Sequence, residues 1–241
     1  MIALETDVGL FRRFVADLDR TSPRELPRPP DLSAYSDDDR DAARFAWATR
    51  IFDEYRSVAV FGELLRLLTD LEAAYPSLCA VHRLIGDELR HTQITTQVVD
   101  WLGGRADLSI DLADAGLPPR ADDESPAFRA LRIIGRELVV VEEESIYALA
   151  AYRNATTEPA IRGVLDLILV DEVRHAAAGR ALLSELSPRL TDDERAQLAA
   201  TMTVDRATLR DEYAASAQGG PGRALGGSIE RADLEAIWER L

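Results

Sequence analysis

The sequence predicts an all-α protein, a four-helix bundle with one long crossover, carrying an N-terminal helix and arm and extra C-terminal helices. Three observations predict it. The 241 residues are 46% hydrophobic but only 6% aromatic, with many Ala and Leu, which favours helices over sheets. Four long apolar-periodic stretches follow one another, with short turns inside each pair and a long polar link between the pairs. A five-residue pattern, D-E-x-R-H, occurs twice, as Asp87-Glu88-Leu89-Arg90-His91 and Asp171-Glu172-Val173-Arg174-His175, and holds two of the three histidines.

Residues 1–35 form the first unit. Leu10, Phe11, Phe14, Val15 and Leu18 share one side of a short helix over 1–20, and the stretch Pro23 to Pro30 cannot be helical and reads as a surface strap. Residues 36–187 form the bundle. Ser36 followed by Asp37, Asp38 and Asp39 starts a helix over about 37–73, with acids at the positive end of its dipole. Pro76 opens a second over about 76–102, which Gly103-Gly104 stops. A Pro-containing crossover (105–125) leads to a third over about 126–154, and the turn Asn154 to Pro159 to a fourth over about 158–186. Residues 188–241 form a C-terminal extension. Thr191-x-x-Glu194 is a capping box opening a fifth helix to about 216. After the Gly-rich loop Gly219 to Gly227, Leu234, Ile237, Trp238 and Leu241 give a last helix an apolar stripe. These extra helices could cover a bundle end, shape a pocket, or form a homodimer contact.

The formal net charge of −15 argues against a nucleic-acid partner, and part of the acidic excess fits carboxylates neutralised by bound cations. All basic residues are Arg and none is Lys, a bias of composition. Cys79 is alone, so neither an intrachain disulfide nor a thiolate metal cage is expected. An N-terminus without a basic, then apolar, leader and the lack of any apolar run near ~20 residues point to a cytoplasmic protein without a membrane partner.

On a helix, Glu and His three residues apart point the same way. A carboxylate-bridged dinuclear site in a bundle takes a Glu from each of two helices and a Glu-x-x-His from each of the other two. Each D-E-x-R-H helix should therefore follow a helix with a Glu on its core face. Glu54 lies among Trp47, Ile51, Val58, Phe61 and Leu65, a carboxylate in an apolar stripe that is costly to bury alone. Its rival Glu63 shares a face with Arg56, Arg66 and Asp70 and reads as solvated. The third helix offers Glu137, Glu142, Glu143 and Glu144. Glu143 falls on the Arg side and reads as exposed. Glu142 shares its face with Leu138, Val139, Ile146 and Leu149, and Glu144 with Val140, Val141 and Ala148. Glu142 is the choice, with Glu144 the closest rival.

Two Glu residues, each followed by a Glu-x-x-His, resemble the ferritin-like superfamily of non-haem dinuclear carboxylate proteins. The D-E-x-R-H form in both halves is similar to multicomponent monooxygenase hydroxylases and acyl-carrier-protein desaturases. Glu54-Tyr-Arg-Ser57-Val-Ala-Val-Phe61, with His82-Arg83 before Glu88, looks like a bacterial ferritin-like group without an assigned reaction. The resemblance covers about 50–186. It implies that Glu88 and Glu172 bridge two irons (or manganese, or one of each), that Glu54 and Glu142 are terminal carboxylates, and that His91 and His175 each serve one metal. It implies further that Asp87 and Asp171 accept from a His ring N–H, steadied by Arg90 and Arg174. The plainer reading of these four is an i,i+3 salt bridge on a helix surface.

Other residues read as structural. His82 is a core-edge or surface histidine. Relatives with a further histidine ligand carry it four residues before the fourth-helix Glu, where this chain has Ile168. Tyr55 and Tyr147, near the ligands, read as packing rather than radical carriers, and Trp47 and Trp101 as core. The function implied is an oxidoreductase that activates O2 to hydroxylate, N-oxygenate or desaturate a small organic substrate in an apolar pocket beside Val139 to Val141 and Ala176 to Ala178. Its electrons come from an external donor, a reductase or ferredoxin, since no dinucleotide-binding glycine motif or cysteine cluster is present. Iron handling or peroxide reduction is the alternative, and a non-redox metal-binding helical protein the third.

Overall fold

The computed structural model describes residues 25–105 and 124–240. The helix expected over 1–20 and nearly all of the crossover lie outside them. The described residues form α1 (Asp37–Asp70), α2 (Tyr75–Trp101), α3 (Pro126–Ile133), a π-helical segment (Ile134–Val141), α4 (Glu142–Ala155), α5 (Pro159–Leu186), α6 (Asp192–Ser216) and α7 (Arg231–Trp238). Among the described residues no helix is long and apolar enough to cross a membrane.

Helix starts follow their local chemistry. The Ser36 side chain accepts from the Asp39 N–H, and Asp37 to Asp39 fill the first turn of α1. Ser125 and Glu158 cap α3 and α5 in the same way, each followed by a proline that needs no N–H partner. Thr191 and Glu194 form the expected capping box of α6. Gly103 and Gly104 take positive φ just past the end of α2.

One expectation is corrected. The third helix is not a continuous α-helix over 126–154, because a π segment (Ile134–Val141) separates α3 from α4. An i→i+5 segment carries an extra residue and turns everything after it relative to an α-helix. The close approach of α5 shows where the rod is constrained. A Cβ on Gly179 would lie 2.4 Å from the Leu138 carbonyl oxygen, so only glycine lets α5 meet the π segment.

Four rods, α1, α2, the continuous α3–π–α4 stretch as the third, and α5, meet in a closed circuit: α1 lies along α2, α2 meets α5, α5 packs on the π segment and α4, and α3 returns to α1. Two apolar layers fill this circuit. One contains Phe61, Leu64, Leu68, Leu84, Leu131, Leu138 and Leu186. The other contains Trp47, Ala48, Ile94, Val98, Leu165 and Ile168. Along α1, α2 and α5 the sequence between the layers holds the charged residues Glu54, Glu88, His91, Glu172 and His175. Water is thus excluded above and below a polar layer.

The C-terminal extension closes against this body. The Gly-rich loop lies on α1: a Cβ on Gly227 would stand 2.6 Å from the Ala43 Cα, Trp47 Nε1 donates to the Leu225 carbonyl at 2.9 Å, and Arg50 donates to the Gly226 carbonyl at 2.9 Å. Helix α7 packs on α4 through Leu234. Of the Pro-rich strap, residues 25–30 have no regular structure, and Pro27 sits against Gly163.

Candidate metal centre

Glu88 and His91 project from α2 and Glu172 and His175 from α5, each pair one helical turn apart and buried. Glu54 enters from α1 with its side chain 13% exposed, and Glu142 enters from the first residue of α4. The six residues converge. His91 Nδ1 lies 3.2 Å from Glu54 Oε2, 3.5 Å from Glu172 Oε1 and 3.8 Å from Glu88 Oε2. His175 Nδ1 lies 3.0 Å from Glu88 Oε1, 3.2 Å from Glu172 Oε2 and 3.6 Å from Glu142 Oε1. Each of Glu88 and Glu172 therefore offers one oxygen toward each histidine, and the imidazole centroids are 5.7 Å apart.

The ring Nε2 atoms look outward, and their acceptors are crossed. His91 Nε2 faces Asp171 Oδ2 at 3.4 Å, and His175 Nε2 faces Asp87 Oδ2 at 3.5 Å. Each aspartate thus supports the histidine of the opposite helix. Arg174 pairs with Asp171, as the resemblance implied. Asp87 pairs with Arg83, at 2.7 Å and 2.9 Å to its two oxygens. Arg83 stands four residues before Asp87 on one helix face, a signal present in the sequence and not weighed there. Arg90 is buried.

The neighbouring acids are taken by arginines. Glu144, fully buried, is held by Arg206 at 2.8 Å and Arg210 at 2.9 Å, both from α6. Glu143 is only 19% exposed, not open to solvent as expected, and pairs with Arg180 and with Arg206 at 2.7 Å. Arg56 holds Glu137 through two hydrogen bonds of 3.1 Å. Arg129 holds Glu63. Glu142, the choice made from its apolar face, is the third-rod acid that lies beside a histidine, while its rival Glu144 is held by arginines. His82 is exposed, Trp47 is buried in the core, and Tyr55 and Tyr147 are half-buried.

Electrostatics at this layer ask for a cation. Burial pushes the Glu88 and Glu172 carboxyls up to about 8 against the pull of His175, helped by Glu172 at Glu88 and by Glu142 at Glu172. Burial works against charge on His91, but Glu54 and the other carboxylates outweigh it and raise the imidazole to about 9. His175 is likewise raised well above its ordinary value against its burial, by Asp87 and then Glu142. Burial also opposes charge on Glu54, yet His91 keeps its carboxyl below the usual range. Both ring nitrogens of His175 are shielded from solvent without a directed hydrogen bond. Four carboxylates around two imidazoles, in a layer closed by apolar cores, are expensive to keep dry unless cations or protons balance them. Two divalent ions would supply the four charges. The buried group Glu88–Glu142–Glu172–His175 and the group Glu54–His91–Glu172, in which Glu54 is partly buried, could each hold a metal ion.

No protein-family model matches the chain, and neither a curated protein nor a solved structure matches it. The fold and the centre thus define an all-helical protein with a buried Glu/His group able to bind metal.

Proposed function

We propose that this protein is a ferritin-like, carboxylate-bridged dinuclear oxidoreductase that uses two iron ions, or manganese in one or both places, and O2 to oxidise a small organic molecule. The observation that supports this most is the double presentation of Glu88 and Glu172, whose two oxygens each face a different histidine. A pair of ions sharing two carboxylates takes that arrangement, and carboxylate–imidazole donor sets suit iron and manganese. Bound iron would supply the chemistry of dioxygen activation.

The chain's own residues have separable tasks. Asp171 and Asp87 favour the proton on Nε2 of His91 and His175, leaving each Nδ1 lone pair for the metal. Glu54 and Glu142 complete the two ends. The apolar layers around Phe61 and Trp47 keep water out, so the charges interact in a low dielectric. The closed circuit of four rods supports the ferritin-like bundle, with Arg83 and Arg174 tying the outer aspartates to the surface. Electrons come from an external reductase or ferredoxin.

The test is to load metal-free protein with ferrous iron anaerobically and admit oxygen. About two irons per chain, oxidised slowly and faster with an organic substrate, is the expected result. Rapid turnover of many irons into a mineral would refute an oxygenase and favour iron handling.

A further inference from the structure

We propose that α6, which lies outside the four rods, is a positioning element for the metal centre, and that Arg206 and Arg210 act by fixing which acid of the third rod faces the histidines. The inference rests on the metal-site reading above.

Four glutamates stand within eight residues of the third rod, at 137, 142, 143 and 144. Glu142 begins α4 directly after the π segment. Such a segment holds one residue more than an α-helical stretch, and if it slides or resolves, the following helix turns by ~100° per residue. A one-residue turn would carry Glu142 off the His175 side and bring a neighbouring acid inward. The phase of α4 must therefore be held from outside, and α6 holds the rod at points within the π segment and just after it. Arg206 spans Glu143 and Glu144, at 2.7 Å and 2.8 Å, and Arg210 grips Glu144 at 2.9 Å. Asp205 pairs with Arg136 at 2.9 Å, and Met202 presses so closely on Gly135 that a Cβ there would lie 2.9 Å from its sulfur.

Glu144 is fully buried while the side chains of Arg206 and Arg210 remain 30% and 38% exposed. The arginines thus lie along the outer side of the rod and bind the acids that must not turn inward. The planar guanidinium of Arg206, forked across two carboxylates, fixes direction as well as charge, which a lysine would do less well. Neither arginine touches the cluster itself. They act through the rotation of α4, and hence through Glu142.

The test is calorimetric titration of the metal-free full chain with Co(II), with circular dichroism as a check on folding. Glu142→Ala should weaken one of two cobalt positions. Arg206→Met/Arg210→Met should weaken the same position by ~10–100-fold and leave the other nearly unchanged. Adding that pair to Glu142→Ala should cost nothing further, because the arginines act through Glu142. Arg206→Lys/Arg210→Lys should recover part of the affinity. Should the double Met variant not fold, Arg210→Met alone, which leaves Arg206 on both acids, should show a smaller loss at the same position. Equal weakening of both positions, no weakening, or additivity with Glu142→Ala overturns the positioning role and leaves the metal site standing. Full-strength binding at both positions in Glu142→Ala overturns the metal-site reading, and this inference with it.

Discussion

Substituting Asp87 by Ala tests the crossed support of the histidines. Asp87 is on α2, the helix of His91, yet its Oδ2 faces His175 Nε2 on α5 at 3.5 Å. Its side chain is 3% exposed and is oriented by Arg83 at 2.7 Å. Removing it deprives His175 of the acceptor that fixes its ring and tautomer, and Arg83 of one ion-pair partner. Loss of such an outer acceptor costs ~10–100-fold in metal affinity, or ~1.4–2.7 kcal/mol. The low end is expected here, because 3.5 Å is a long contact in the metal-free geometry. Cobalt titration of Asp87→Ala, with His175→Ala and His91→Ala as references, gives the readout. Asp87→Ala should weaken the position that His175→Ala abolishes and spare the one that His91→Ala abolishes. Weakening on the His91 side instead, as two sequence neighbours would suggest, would refute the crossed arrangement.

Three further outcomes follow from the same geometry. Metal-free protein should lose stability as pH rises from about 5 to 9, because Glu88 and Glu172, near 8 when folded against 4.5 unfolded, and His91, near 9 against 6.5, hold protons that the unfolded chain has released. Melting temperatures in chelator should therefore fall across that range, metal should reverse the fall, and a flat or rising profile would contradict it. Gly179→Ala places a Cβ 2.4 Å from the Leu138 carbonyl and should cost about 1–3 kcal/mol, a drop of ~2–12 °C in melting temperature; an unchanged melt would show that α5 and the π segment can part freely. Arg56→Met leaves buried Glu137 without its two 3.1 Å hydrogen bonds and should destabilise by about 2 kcal/mol in urea unfolding, recovered when Glu137→Gln is added.

The sequence by itself carried the helical class and most helix ends, because these depend on local chemistry. Ser36, Thr191 and the Gly103-Gly104 pair act within one turn of where they stand. It also carried the two Glu-x-x-His pairs, since residues three apart on a helix share a face whatever packs against them. Glu54 was legible as a carboxylate in an apolar stripe, although Ile51 and Val58 in that stripe are only partly buried.

Relations across helices needed the tertiary structure. Asp87 supports His175 rather than its own neighbour His91, because α2 and α5 lie side by side and the acceptor that matters is the one across the seam. Glu142 is already preferred to Glu144 for its apolar face, but the arginines that hold Glu144, on a helix about sixty residues later, show only in the packing. Periodicity assumes a constant turn per residue, and a charge in the sequence does not state its partner. Local sequence set which groups could meet at the D-E-x-R-H helices; long-range packing decided which of them do.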